Sequence, residues 1–134
     1  MTRIICNGVF DVLHAGHFKL LNTAKLFPNY YLLVLIDSDA RVKELKGIDR
    51  PYHNQNQRRE NLESLKVVHK VELFDSDQEL ESKIAEYKPH FMLKGSDYQG
   101  KPIIGSQHII DKILYVDHTG HSTTEMLEKV LVNQ

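Results

Sequence analysis

The sequence predicts an α/β fold, a doubly wound parallel sheet of about five strands flanked by helices. Three observations point to it. Short apolar, β-rich runs alternate with amphipathic segments along the chain. Tyr30–Ile36 (YYLLVLI) is apolar without a break, the pattern of a central strand covered on both faces. Two Ser-x-x-Glu pairs, Ser76 with Glu79 and Ser122 with Glu125, are capping-box patterns that open helices. Strands joined through helices make right-handed crossovers, so the sheet is expected to be parallel.

In chain order, Arg3–Cys6 is a short apolar run closed by Asn7-Gly8, a first strand ending in a turn. Leu20, Leu21, Ala24 and Phe27 recur at helical spacing, so His17–Leu26 reads as a helix stopped by Pro28-Asn29. Tyr30–Ile36 is the second strand. Asp37–Asn56 is polar and lacks clear periodicity, and a loop is expected there, with one helical turn at Ala40–Leu45. Gln57–Leu65 reads as a helix with Leu62 and Leu65 inward, and Val71–Phe74 as a third strand. The Ser76 cap opens a helix to Tyr87, ended near Pro89. Phe91–Leu93 and Ile113–Val116 are the fourth and fifth strands, and the Ser122 cap starts a last helix through Leu131.

The 134 residues are expected to form one domain, long enough to bury a real core. Lys and Arg total 17 against 18 Asp and Glu, so no global basic field argues for nucleic acid or an anionic membrane. Nor is there a basic stripe with interleaved aromatics. A single cysteine, Cys6, rules out an internal disulfide framework and fits a reducing cytoplasm. No run approaches the ~20 apolar residues of a membrane span, and the N-terminal apolar run is too short for a signal peptide. A cytoplasmic protein is expected.

In doubly wound sheets, ligands sit beyond the carboxyl ends of the strands, where the strand order reverses. The segments after strands one, two, four and five are Asn7–His17, Asp37–Asn56, Lys94–Gly105 and Asp117–Ser122. In the first, Gly8 and Gly16 allow close backbone approach, and a helix opening near His17 aims its free N–H groups at an anion. His14 and His17 could add donors there; the residues alone also fit two surface histidines at a helix start. The second holds Arg41, Lys43, Lys46 and Arg50, and Arg58 and Arg59 follow it; together they are six of the chain's 17 cationic residues, a local patch suited to a triphosphate or a phosphorylated acceptor. A solvated loop would carry the same charges. In the third, Asp97 could hold a ribose or a cation, or form an Asx-turn. In the fourth, Ser122 suffices as an N-cap, and Thr123 and Thr124 add hydroxyls at the same helix start.

The stretch G-x-F-D-x-x-H-x-G-H from Gly8 to His17, followed by K-x-L-x-x-A-K, resembles the cytidylyltransferase-like, H-x-G-H nucleotidyltransferase superfamily. That superfamily includes glycerol-3-phosphate cytidylyltransferases, heptose-1-phosphate adenylyltransferases and pantetheine-phosphate adenylyltransferases. The stretch S-D-A-x-V-K-x-L-K-G-x-x-R-P from Ser38 to Pro51 is closer to the heptose-type enzymes, as is Lys94-Gly95-Ser96-Asp97-Tyr98 with Gly105-Ser106. Asp117-His-Thr-Gly-His-Ser-Thr-Thr resembles the C-terminal R-T-x-G-I-S-T-T signature, with Asp117 where cytidylyltransferases carry arginine. The likeness runs from Ile4 to Lys129.

The resemblance implies a Rossmann-like fold and transfer of a nucleotidyl group from a nucleoside triphosphate, ATP or CTP, to a small phosphorylated acceptor, with pyrophosphate released. It implies His14 and His17 at the α- and β-phosphates, with Lys46 and Arg58 around acceptor and triphosphate. Gly8, Val9, Phe10, Gly16, Lys94, Gly95 and Asp97 would bind the nucleotide, and Ser122, Thr123 and Thr124 the outer phosphates. Asp11, Lys43 and Arg50 would serve the acceptor, Asp11 by positioning. Mg²⁺ is expected as cofactor, bound through the triphosphate and not by a protein cage, and a homodimer is expected. The acceptor is already an anion, so no general base is needed and catalysis is positioning plus charge neutralisation. Adenylyl transfer to a heptose-type sugar-1-phosphate is the leading expectation. A CTP enzyme acting on glycerol-3-phosphate is the alternative, favoured by the short chain, and a non-catalytic nucleotide-binding module is the second.

Overall fold

The computed structural model describes residues 1–117. The Ser122-capped helix and the expected phosphate contacts of Ser122, Thr123 and Thr124 lie outside the described residues. Five strands, β1 (Thr2–Gly8), β2 (Tyr30–Asp37), β3 (Lys70–Phe74), β4 (Phe91–Gly95) and β5 (Lys112–Val116), form one sheet in the order β3-β2-β1-β4-β5. Every pairing is parallel. The helices are α1 (Ala15–Asn22), α2 (Asp39–Lys46), α3 (Gln55–Glu63) and α4 (Asp77–Tyr87). The strand order reverses at β1, which has β2 on one side and β4 on the other; the cleft described below opens there.

The apolar strands bury both faces, as a parallel sheet requires. Ile4, Cys6, Leu32, Val34 and Ile36 belong to one core cluster, and Ile5, Leu33, Leu35 and Met92 to the other, with Phe74, Leu80 and Ile84. Burial pushes the Cys6 thiol up to about 12, against the pull of Lys94, so it stays neutral and packs as a small apolar group.

Helix ends follow side-chain caps. Ser38, Asn54 and Ser76 each accept a backbone N–H three residues on. The capping box expected at Ser76 is half formed, because the Glu79 carboxylate accepts from Asp75 N–H instead. Expectation fails most clearly at α2. The segment expected to be a loop with one turn is an eight-residue helix in which Val42 alone is buried. With one inward residue there is no apolar period to read, and the Ser38 cap and the anchoring of Arg41 supply what packing does not. Two further single turns, Ser96–Tyr98 and Ser106–His108, follow β4. Gly105, at φ 82, precedes the second, and a Cβ there would lie 2.6 Å from Ile84 Cδ1. Gly105 therefore lets this segment lie close against α4.

Candidate nucleotide-binding site

Beyond β1 the chain turns sharply. Phe10 takes φ 51, a left-handed conformation costly for a bulky side chain. The turn buries its ring beneath Gly8, where a Cβ would come within 3.2 Å of it, and brings it to 5.2 Å from the His17 ring. Two residues behind the turn hold it. The Asp11 carboxylate accepts the backbone N–H groups of Tyr52 and His53 at 2.7 and 2.8 Å. Burial alone would raise its pKa, but those N–H groups and the Arg58 charge outweigh it and hold the carboxyl below its ordinary value. Arg58, with 0% exposure, donates to the carbonyls of Val9, Asp37 and His53 and to the Asp39 carboxylate, at 2.8–3.0 Å.

That placement corrects the expected role of Arg58. It ties the β1 turn, the end of β2, the start of α2 and the 53–54 segment together from beneath, and its guanidinium is not presented to a ligand. The cationic patch is likewise mostly spent. Arg41 pairs with Asp37 at 2.9 Å and with Asp77, and Arg59 lies 3.9 Å from Glu63. Arg50 stacks on Tyr52 and reaches Asp11 only at 3.9 Å, and Lys43 is exposed; neither lines the cleft. Of the six cations, Arg41 and Lys46 reach the cleft wall.

Helix α1 opens two residues earlier than expected, at Ala15, with His14 as its N-cap. The His14 Nδ1 accepts from Gly16 N–H at 3.1 Å, and the His17 Nδ1 from His14 N–H at 3.2 Å, a capping box made of two imidazoles. Each neutral ring then carries its proton on Nε2, which makes Nε2–H the donor of both. The rings lie 3.9 Å apart. His17 lines the cleft; His14 is exposed beside it. Gly16 is buried in the first turn.

The cleft has two lobes. The larger, about 440 Å³, reaches from the β1 turn over the ends of β2 and β3 to α2 and α4. The smaller, about 150 Å³, lies toward Leu20, Leu93 and Gly95. Asn7 to Phe10, His17, Lys94 and Tyr98 line both, so a strip carrying an imidazole and an ammonium separates the lobes. Lys94 is 8% exposed, with Nζ 4.5 Å from the Tyr98 ring centroid. Burial pushes its ammonium below the ordinary lysine value, against the pull of Cys6, Asp37 and Asp97. Asp97 itself is exposed. Asp11 and Lys46 line the larger lobe.

Asp37 and the apolar wall of Phe74, Leu80, Ile103 and Ile104 were not singled out as site residues from sequence, and Arg41 only as one member of the cationic patch. The readable signal was a polar residue ending each apolar strand: Asn7, Asp37 and Lys94. Among the described residues no group of three or more His, Cys, Asp or Glu could hold a metal. No described helix is long and apolar enough to cross a membrane.

The model of the cytidylyltransferase-like family matches residues 5–128. The chain is 40% identical over 131 residues to the bifunctional protein HldE of Campylobacter fetus subsp. fetus, covering 96% of this chain and 28% of that protein. It is 41% identical over 128 residues to HldE of Nitratiruptor sp., covering 95% and 27%. It thus spans little more than a quarter of the length of the curated relatives it matches. Among solved structures, the lipopolysaccharide core biosynthesis protein of Thermoplasma volcanium superposes with a TM-score of 0.67 at 28% identity, covering 86% of this chain and 95% of that one. With its histidine-capped helix set beside the reversal of a five-stranded parallel sheet, the chain belongs to the cytidylyltransferase-like family.

Proposed function

We propose that this chain is a nucleotidyltransferase that moves AMP from ATP to a heptose-type sugar-1-phosphate and releases pyrophosphate. The observation that carries the reading is the strip between the lobes, where His17 and the buried Lys94 face both sides. Two anionic substrates, one per lobe, would meet there with their reacting phosphates beside an N–H donor and an ammonium. The acceptor phosphate attacks the α-phosphorus, the bond to the bridging oxygen of pyrophosphate breaks, and no proton has to be removed from the nucleophile.

The described residues do the positioning. The Nε2–H of His17 donates a hydrogen bond to the non-reacting oxygens, the Lys94 ammonium neutralises charge on them, and the His14 ring buttresses His17 by ring contact and by the shared cap. Arg58 and Asp11 fix the turn that forms the strip. Lys46, at the rim of the larger lobe, meets the acceptor phosphate. Asp37 gives one oxygen to Arg41 and Asp11 takes two backbone N–H groups, and among the described residues no three His, Cys, Asp or Glu gather into a cage for a cation. Mg²⁺ would arrive on the triphosphate oxygens and supply charge neutralisation there. Asp117, where cytidylyltransferases carry arginine, supports ATP over CTP. The likeness to a lipopolysaccharide core biosynthesis protein supports a sugar as acceptor. A cytoplasmic homodimer completes the proposal, and sedimentation tests its stoichiometry.

The experiment is pyrophosphate release from four triphosphates crossed with a panel of phosphorylated sugars and polyols. The expected optimum is ATP with a heptose 1-phosphate, with His17→Ala slower by about two to three orders of magnitude and its melting temperature near wild type. An optimum with CTP and glycerol-3-phosphate would replace this reading by the alternative. Nucleotide binding without turnover in any combination would make the chain a regulatory module.

A further inference from the structure

We propose that Asn7 and Asp37 select the acceptor by accepting hydrogen bonds from its hydroxyl groups, so that the larger lobe takes a polyhydroxylated phosphate ester. The inference rests on the nucleotidyl-transfer reading and names the residues that choose its second substrate. It starts from strand parity. Asn7 continues the row of Ile5 on β1, Asp37 that of Leu33 and Leu35 on β2, and Lys94 that of Met92 on β4. Ile5, Leu33, Leu35 and Met92 belong to one core cluster, so on one face of the sheet three neighbouring strands change from apolar to polar at their carboxyl ends. Packing does not ask for that change; a ligand would.

The Asn7 Oδ1 is buried and has no hydrogen-bond partner. A buried acceptor left unpaired is a standing cost to the fold, which a donor on a bound molecule removes. Asp37, 7% exposed, gives one oxygen to Arg41 and, as a carboxylate, has lone pairs beyond that bond. The lobe floor therefore offers acceptors in want of O–H donors. Its wall is apolar, with Phe74, Leu80 and Ile103 from the core cluster reaching into it. Acceptors on the floor, C–H-compatible wall and Lys46 at the rim match a sugar or polyol phosphate better than a planar base, which would present far fewer donors.

The test is calorimetric and needs no turnover. Binding of heptose 1-phosphate and of ethyl phosphate, which carries the phosphate without hydroxyls, is measured at saturating α,β-methylene-ATP on wild type, Asn7→Ala and Asp37→Ser. Wild type is expected to prefer heptose 1-phosphate by about tenfold or more. Asn7→Ala should lose most of that preference and keep its affinity for ethyl phosphate and for the analogue within about twofold, because the Oδ1 it removes has no partner in the free protein. Asp37→Ser should also lose preference, with some loss of stability through Arg41. Equal binding of the two esters by wild type, or a preference kept by Asn7→Ala, would overturn the inference. So would a fall in analogue affinity alone, which would mean that Asn7 reads the nucleotide. Each of these can occur while pyrophosphate release stands, and absent release leaves the binding ratio measurable.

Discussion

Arg58 carries a full charge at zero exposure and answers it with four hydrogen bonds, three to carbonyls and one to Asp39. Removing the guanidinium would leave the Val9, Asp37 and His53 carbonyls without this donor, and a buried acceptor left unpaired costs about 1–3 kcal/mol. Arg58→Met should therefore lower the melting temperature steeply, and Arg58→Lys should recover only part, since an ammonium lacks the planar fork. A variant as stable as wild type, read by denaturant unfolding, would show that Arg58 does not hold the turn. Lys94 sets a pH dependence of its own. Burial lowers its pKa, so it loses its proton, and with it its pull on phosphate, at a lower pH than an exposed lysine would. Triphosphate affinity should fall as pH rises through that lowered value, and Lys94→Arg should move the fall to higher pH. Identical alkaline limbs in the two proteins would remove Lys94 from the binding step.

At the level of elements, the short pieces around the cleft depend on single residues. Helix α2 buries only Val42, so the Ser38 hydroxyl that accepts from Arg41 N–H matters more here than in a packed helix. Ser38→Ala should cost about 1 kcal/mol. Gly105 presents the opposite case. Alanine there would meet Ile84 at 2.6 Å while held at positive φ, a strain of about 1–3 kcal/mol that shifts the 102–104 wall of the larger lobe. Unfolding midpoints with unchanged m-values check both. The strands were legible because burial on both faces writes an unbroken apolar run, as in Tyr30–Ile36. α2 was not, since one inward residue leaves no period, and its identity lay in the Ser38 cap.

For the molecule as a whole, the reversal of strand order at β1 places Asn7, Asp37 and Lys94 in one cleft from three distant stretches of chain. Sequence could point to those stretches by their place after strands. It could not show that Arg58 turns inward or that Arg41 is spent on Asp37 and Asp77, since the patch reads the same in either case. Asp11 links this arrangement to acid stability. Its folded pKa lies below the unfolded value, so its contribution is present above the ordinary carboxylate range and is lost as pH falls through the folded value. Asp11→Asn should flatten that part of the stability–pH curve, and an unchanged curve would detach Asp11 from the turn. The central claim, two substrates meeting across the His17–Lys94 strip, is tested most directly by a crystal structure with α,β-methylene-ATP bound. The account predicts an α-phosphate oxygen about 3 Å from His17 Nε2, the base in the smaller lobe by Leu93 and Gly95, and the larger lobe open. A base lodged against Phe74 and Leu80, or a triphosphate bound away from His17, would contradict it.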